Sequence, residues 1–212
     1  MRGLFLEKPT MNTKKSQAPD IGAPFEGGFF GGQIRIGGAI LAVIWAPKAL
    51  GEASGVWLPD SSMVADALSC CDSMGNTQAM AEAGSPLAKW ALGLEINGHA
   101  DWCIPARDVL ELGYRHLKPT NRETYCGFRD GDNPSSLPPG YPYTKEGAIA
   151  QTTVDAFQAG NSESFEANWY WSSTVYSEAS AWFQGFSTGF QFRDHQLNEL
   201  RARAVRLIQL NA

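Results

Sequence analysis

The chain has 212 residues, 17 Lys and Arg against 22 Asp and Glu for a formal net charge of −5, and 43% hydrophobic content with seven Trp, eleven Phe and three His. That length and apolar share suffice for one self-supporting core, and the acidic balance excludes a nucleic-acid partner, since no basic stripe is present to release phosphate counterions. No run reaches the roughly 18 to 20 uninterrupted apolar residues of a membrane span, which excludes membrane insertion, and many aromatics beside few histidines favour packing and binding over proton chemistry.

Residues 1–20 are polar, aperiodic and rich in Lys, Thr, Asn and Pro; they read as a flexible arm, or as a strand in want of a partner chain, ahead of one domain over 21–212. Glu7 and Pro9 end the opening apolar residues before a secretion signal forms, so synthesis and folding are expected in a cytoplasm. Gly27, Gly28, Gly31 and Gly32 lead into 33–36, a Gly37-Gly38 turn and 39–46, which predicts a hairpin of two strands, with 34–46 a buried pair. No helix with a Lys-Ser/Thr start follows these glycines, so a bend in a sheet is favoured over a phosphate cradle. Residues 47–57 read as a loop.

Met63, Val64, Ala67, Leu68 and Cys71 fall at helical spacing, predicting a helix over 61–73 with Ser61 or Ser62 as N-cap and Gly75 as its stop. A short helical piece is expected near 86–92, and a second clear helix over 106–117, entered through Pro105 and stopped by Pro119, with Val109, Leu110, Leu112 and Leu117 inward. Asp101, Arg107 and Asp108 read as a structural Arg–carboxylate clamp at that helix entry. His99 and His116 have no partner at ligand spacing and read as surface or locally satisfied residues. Cys70 and Cys71 are placed on the first helix; Cys103 and Cys126 can pair, though their spacing does not demand it. With no CxxC motif a zinc site is not expected, and no cofactor is assigned.

The segment 125–143 is heavy in Pro and Gly and reads as a long functional or partner-facing loop. Asp130, Asp132 and Asn133 offer oxygens to a calcium ion but lack the closing Glu, which favours a solvated turn. A short helix is expected within 152–159. From 165 to 210 apolar and polar residues alternate over 170–174, 181–187 and 202–208, predicting three strands of an antiparallel sheet with Trp171, Trp182 and Phe186 in its core. The stretch closes on Arg201, Arg203 and Arg206. The class is α+β, two helices set apart from a β region whose first and last strands pair.

Three motifs carry a resemblance: Asp101-Trp102-Cys103-Ile104-Pro105 continuing to Glu111-Leu112, then Trp169-Tyr170-Trp171-Ser172-Ser173-Thr174, then Arg201-Ala202-Arg203-Ala204-Val205-Arg206. In that order they are similar to the DUF1566 family of C-type-lectin-like domains (the Lcl C-terminal type), including its phage and prophage members, over nearly all of 21–210. The resemblance implies a C-type-lectin-like fold: two helices packed on antiparallel sheets, with the N- and C-terminal strands paired. Cys103 stands where the family has Arg, and Ala106 where it has Thr. The Glu-Pro-Asn and Trp-Asn-Asp motifs of calcium-dependent lectins are absent, and no cysteine follows Cys126, whereas formylglycine-generating relatives of the fold need cysteines near their C-terminal site. The sequence offers no metal cluster, Ser-His-Asp set or convincing paired-carboxylate site, so a non-enzymatic role is expected.

In phage the fold resembles receptor-binding tips whose last sheet displays adaptable side chains on a fixed frame. The implied role is a virion protein of the tail tip, fibre or baseplate that binds a host cell-surface glycan or protein and forms a homo-oligomer among other virion tail proteins. The ligand-binding residues implied are Tyr176, Ser177, Glu178, Phe183, Gln184, Phe190, Phe192, Arg193, Asp194 and His195, beside Trp182. The alternative is a structural decoration or assembly protein whose residues 1–20 lace onto a neighbour.

Overall fold

The structure, a computed structural model, describes residues 18–125, 127 and 129–210. Most of the expected arm, and Cys126 with its possible pairing, lie outside the described residues. In chain order the elements are β1 (Pro24–Phe25), β2 (Gly28–Ile36), β3 (Ala39–Trp45), α1 (Lys48–Gly51), β4 (Glu52–Val56), α2 (Ser73–Glu82), α3 (Pro86–Leu92), α4 (Arg107–Leu117), β5 (Ser136–Leu137), α5 (Tyr143–Glu146), β6 (Trp169–Val175), β7 (Ser180–Gly185), β8 (Gln191–His195), β9 (Glu199–Arg203) and β10 (Val205–Gln209). The class is α+β. One five-stranded sheet runs β1-β2-β3-β10 with β5 added on β2; the other runs β4-β9-β6-β7-β8.

The hairpin forms as expected. Gly37 and Gly38 both adopt positive φ, 54° and 88°, which is what a two-residue turn matched to strand twist requires. β2 begins earlier than its alternation suggests, at Gly28, and carries a bulge between Phe30 and Gly32. Gly31 is required beside that bulge. A Cβ there would lie 2.3 Å from Trp45 Nε1, and one on Gly113 of α4 would lie 2.3 Å from Trp45 Cζ2. Trp45 therefore lies in a slot that two glycines leave open, with Phe165 edge-on at 5.1 Å.

α4 lies between the sheets. Its Val109, Leu110, Leu112 and Leu117 share one core with Ile34, Val43 and Trp45 of the first sheet and Tyr170 and Phe186 of the second. α2 and α3 cover the opposite face of the second sheet, where Met80, Leu87 and Ala91 join Trp57, Trp171, Phe183 and Ala202. Both short helices are set by caps. Asp72 accepts from Gly75 N at 2.9 Å, and Ser85 Oγ accepts from Ala88 N at 3.2 Å ahead of Pro86 at the first turn.

Several sequence expectations are corrected. The helix expected over 61–73 is a single 3-10 turn, Ala65–Ala67; Met63 and Leu68 are exposed, so their helical spacing marks no core face. The helix begins at Ser73, where that one was to end, because the Asp72 cap outweighs apolar spacing, and Gly75 lies in its first turn. Cys70 and Cys71 thus precede a helix instead of sitting on one. The loop expected over 47–57 holds α1 and β4. Within 152–159 only a 3-10 turn forms, Asp155–Phe157.

The third strand expected near the end is split: β9 pairs β4 in the second sheet, β10 pairs β3 in the first, and the chain crosses between them at Ala204. The second sheet is also mixed, since β6 and β9 meet in parallel at Tyr170 and Arg201. Among the described residues the last strand enters the first sheet through β3 while β1 pairs only with β2, so their first and last strands share a sheet without touching.

Candidate binding face on the last sheet

β7 and β8 pair antiparallel with Ser180 opposite His195, Trp182 opposite Arg193, Phe183 opposite Phe192 and Gln184 opposite Gln191. Alternation sends Phe183 and Phe192 to one side and Trp182 and Arg193 to the other. β8 is a border strand, so side chains from both sides meet around its rim. Arg193 lies between two rings there, its guanidinium carbon 4.4 Å from the Tyr176 centroid and 4.7 Å from that of Phe192. Tyr176 stands edge-on to Trp182 at 5.3 Å, and Arg107 covers the half-buried Trp182 at 5.1 Å.

On the Phe192 side an aromatic row extends inward. Phe192 stacks on Phe190 at 5.4 Å, Phe190 approaches Phe183 at 6.2 Å, and Phe183 stacks under Trp169 at 4.8 Å. Tyr125 approaches Phe190 from the long loop at 6.4 Å. Trp169, Tyr176, Phe192 and Tyr125 are all exposed. The result is an apolar strip with a cation held between two rings at its edge, an arrangement suited to stacking on planar or ring-shaped ligand groups.

Not every expected ligand residue belongs to this face. Phe183 is 4% exposed and Gln184 1%; the first is the floor beneath Trp169, and the second donates from Nε2 to Gly189 O at 2.7 Å. Both are structural. Asp194 Oδ1 accepts from His195 N and from Asn198 Nδ2, each at 2.8 Å, so its carboxylate closes a turn. Ser177 Oγ is 2.7 Å from Ser180 Oγ in another turn. Glu178 and His195 are exposed at the rim. Tyr176, Phe190, Phe192 and Arg193 are brought together; Trp171 and Phe186 are buried as expected, whereas Trp182 is only half-buried.

Trp169 is not among the expected ligand residues, although it lies two residues from buried Trp171 on the same side of β6, at the first residue of the strand. Tyr125 belongs to the loop read as partner-facing, and a backbone bond from its N–H to Thr188 O at 2.9 Å holds it there.

The titratable candidates elsewhere resolve into structure. Asp101 pairs with Arg206, not Arg107, whose Nη1 is 3.8 Å from Asp108 Oδ1. Burial pushes the Asp108 carboxyl up, against a 2.8 Å bond from Ser135 Oγ. The supposed solvated turn is anchored instead: Asn133 is buried and donates from Nδ2 to Glu111 Oε2 at 2.6 Å and to Asp108 O at 2.8 Å. Tyr143 OH and Arg115 Nε donate to Glu111 Oε1, both at 2.9 Å, while burial raises the Glu111 carboxyl. Asp130 accepts from Gly127 N at 2.7 Å, Asp132 pairs with Arg129, and Asn133 Oδ1 accepts from Ser136 N at 3.0 Å. Their oxygens are spent separately, and among the described residues no three His, Cys, Asp or Glu gather as a metal site.

His116 is held through Nδ1 to Gly31 O at 2.7 Å, and burial keeps its imidazole below the ordinary range. The Cys103 thiol is buried against Val205 O, and desolvation pushes it far up; the Cys70 thiol is raised by the same cause. Such thiols are poor nucleophiles at neutral pH. No protein-family model matches the chain, and no curated protein or solved structure matches it.

Proposed function

We propose that this chain is a non-enzymatic binding module of a bacteriophage virion, a tail-tip, fibre or baseplate protein on a C-type-lectin-like fold of the DUF1566 type. It engages a host surface glycan or protein through the β8 rim. One observation carries the reading: exposed Tyr176 and Phe192 hold Arg193 between them, and the aromatic row continues from Phe192 through Phe190 and Phe183 to exposed Tyr125 and Trp169. Large rings with two side-chain torsions give contact area at small entropy cost, and exposed aromatic and Arg side chains are the usual energetic centres of a binding face. The three motifs of the sequence resemblance add the phage context.

Glycan-array binding and host-cell adsorption of the parent chain are compared with those of Phe192→Ala and Arg193→Ala. Each substitution is expected to weaken binding by about tenfold or more with the thermal midpoint retained. Unchanged adsorption by the double variant would remove this face from recognition.

A further inference from the structure

β4 forms the border of the second sheet opposite to β8. Its outer edge has a definable hydrogen-bonding phase. Ala204 N donates to Gly51 O at 2.8 Å, which extends the β4–β9 register of Ala53 with Ala202 and Gly55 with Leu200 by one more bonded pair. Bonded and non-bonded pairs alternate along an antiparallel ladder. Ala53 and Gly55 therefore bond inward to β9, and the N–H and C=O groups of Glu52, Ser54 and Val56 point away from the sheet. The Gly55 carbonyl accepts in addition from Trp171 Nε1 at 3.1 Å, consistent with that phase.

The two borders differ in how they are guarded. β8 carries Arg193 and His195, and an Asp194 carboxylate oxygen takes up the His195 N–H, devices that discourage strand addition. β4 has Ala53, Ser54 and Gly55 at its centre, with Ser54 exposed and no Lys, Arg or Pro. Next to this bare edge one buried group has an unmet hydrogen-bond acceptor. The Glu52 side chain is 5% exposed. Its Oε1 accepts from Arg201 Nη1 at 2.8 Å and from Tyr170 OH at 3.2 Å, while its Oε2 has no hydrogen-bond partner among the described residues. Glu52 lines a recess with Lys48, Ser54, Ser162 and Arg201.

We infer that β4 pairs with β4 of a second copy of this chain, antiparallel, across a two-fold axis through Ser54. The symmetry and the phase select one register. A two-fold axis normal to the sheet keeps facing side chains on the same side only when paired residue numbers differ by an even count. All three outward residues find partners only with Ser54 opposite Ser54 and Glu52 opposite Val56. Three pairs at two bonds each give about six new backbone hydrogen bonds; a shift of two residues either way loses at least one pair.

The charge pattern is self-complementary in this register. Each Glu52 meets Val56 instead of another carboxylate, and the Ser54 hydroxyl of the second copy lies on the diagonal, about 7–8 Å between Cα atoms, where a long side chain reaches a donor for Oε2. On the other face Ala53 and Gly55 are small, so the groove that Leu87 and Trp90 of α3 form beside β4 meets its own copy across the axis. The pairing is isologous and closes on itself.

Sedimentation velocity on the full chain is the test, and it does not depend on any host ligand. The parent chain is expected at twice the monomer mass. Ser54→Asp sets two carboxylates on the axis and is expected to weaken the dimer at least tenfold while leaving β8 untouched. Ser54→Cys places two thiols on residues about 5.5 Å apart at Cα, within disulfide range; mild oxidation with diamide should yield a crosslinked dimer that dithiothreitol reverses and that the parent chain does not form. A monomeric parent chain overturns the pairing, as does a dimer that survives Ser54→Asp and gives no crosslink with Ser54→Cys. Should Ser54→Asp fail to fold, the crosslink decides alone, and its absence sinks the pairing.

Discussion

Arg203 has no exposed side-chain surface, and each of its three guanidinium nitrogens donates a hydrogen bond. Nε donates to Ala46 O at 2.9 Å, Nη1 to Glu163 O at 2.6 Å, and Nη2 to Glu163 Oε2 at 2.6 Å. Phe165 and Phe157 lie against the guanidinium at 4.9 and 5.3 Å. Burial pulls its pKa down while Glu163 pulls it up. Removing one partner of such a pair leaves the other charge in a poor solvent, so Arg203→Leu is expected to cost about 3–5 kcal/mol, read as a lowered urea midpoint. Arg203→Lys cannot reproduce the fork and should recover only part of the loss; full recovery would mean that bare charge, not the planar geometry, is what the site needs. At this scale the Arg-x-Arg-x-x-Arg run was legible as a motif, whereas its partners, 40 and 105 residues away at Glu163 and Asp101, were not.

Elements were legible where a local signal stood alone. The Gly37-Gly38 turn, the Ser85-Pro86 start and the apolar spacing from Val109 to Leu117 each agree with their surroundings, and all three elements lie close to where the sequence puts them. Around 61–73 two signals compete, and the cap prevails. Asp72→Ala is therefore expected to cost about 1 kcal/mol, measured by calorimetry, whereas Ser61→Ala and Ser62→Ala should leave the melting temperature nearly unchanged; the reverse ranking would restore the helix over 61–73. The candidate site was half legible. Phe183 and Phe192 are both candidates from the sequence, but no strand is expected over 191–195, so neither the register that sets them opposite each other nor the burial of one ring and exposure of the other was legible.

At the scale of the whole molecule, the second sheet has unlike borders. β8 is rimmed with aromatics and guarded against strand addition; β4 is bare. If β4 joins two copies, both β8 rims fall at the far ends of the joined sheet, so that a ligand-bearing surface meets two sites at once and multivalent binding strengthens without any new contact. The alternating run from Ala202 to Ile208 predicted one strand, because alternation carries no record of which neighbour a strand will have. What it concealed is that the chain changes sheets at Ala204 without a loop, with Ala204 N bonded to Gly51 O and Ala46 N bonded to Ala204 O at 3.0 Å.

That uninterrupted passage acts as a rivet. Neither sheet can open at this point without pulling on a segment the other holds, so the slowest-exchanging amides of β3 and β9 are expected to report the same opening free energy in native-state hydrogen exchange; two well-separated values would mean that the halves breathe independently. A frame riveted in this way can tolerate substitutions along its β8 rim while one cooperative melting transition endures.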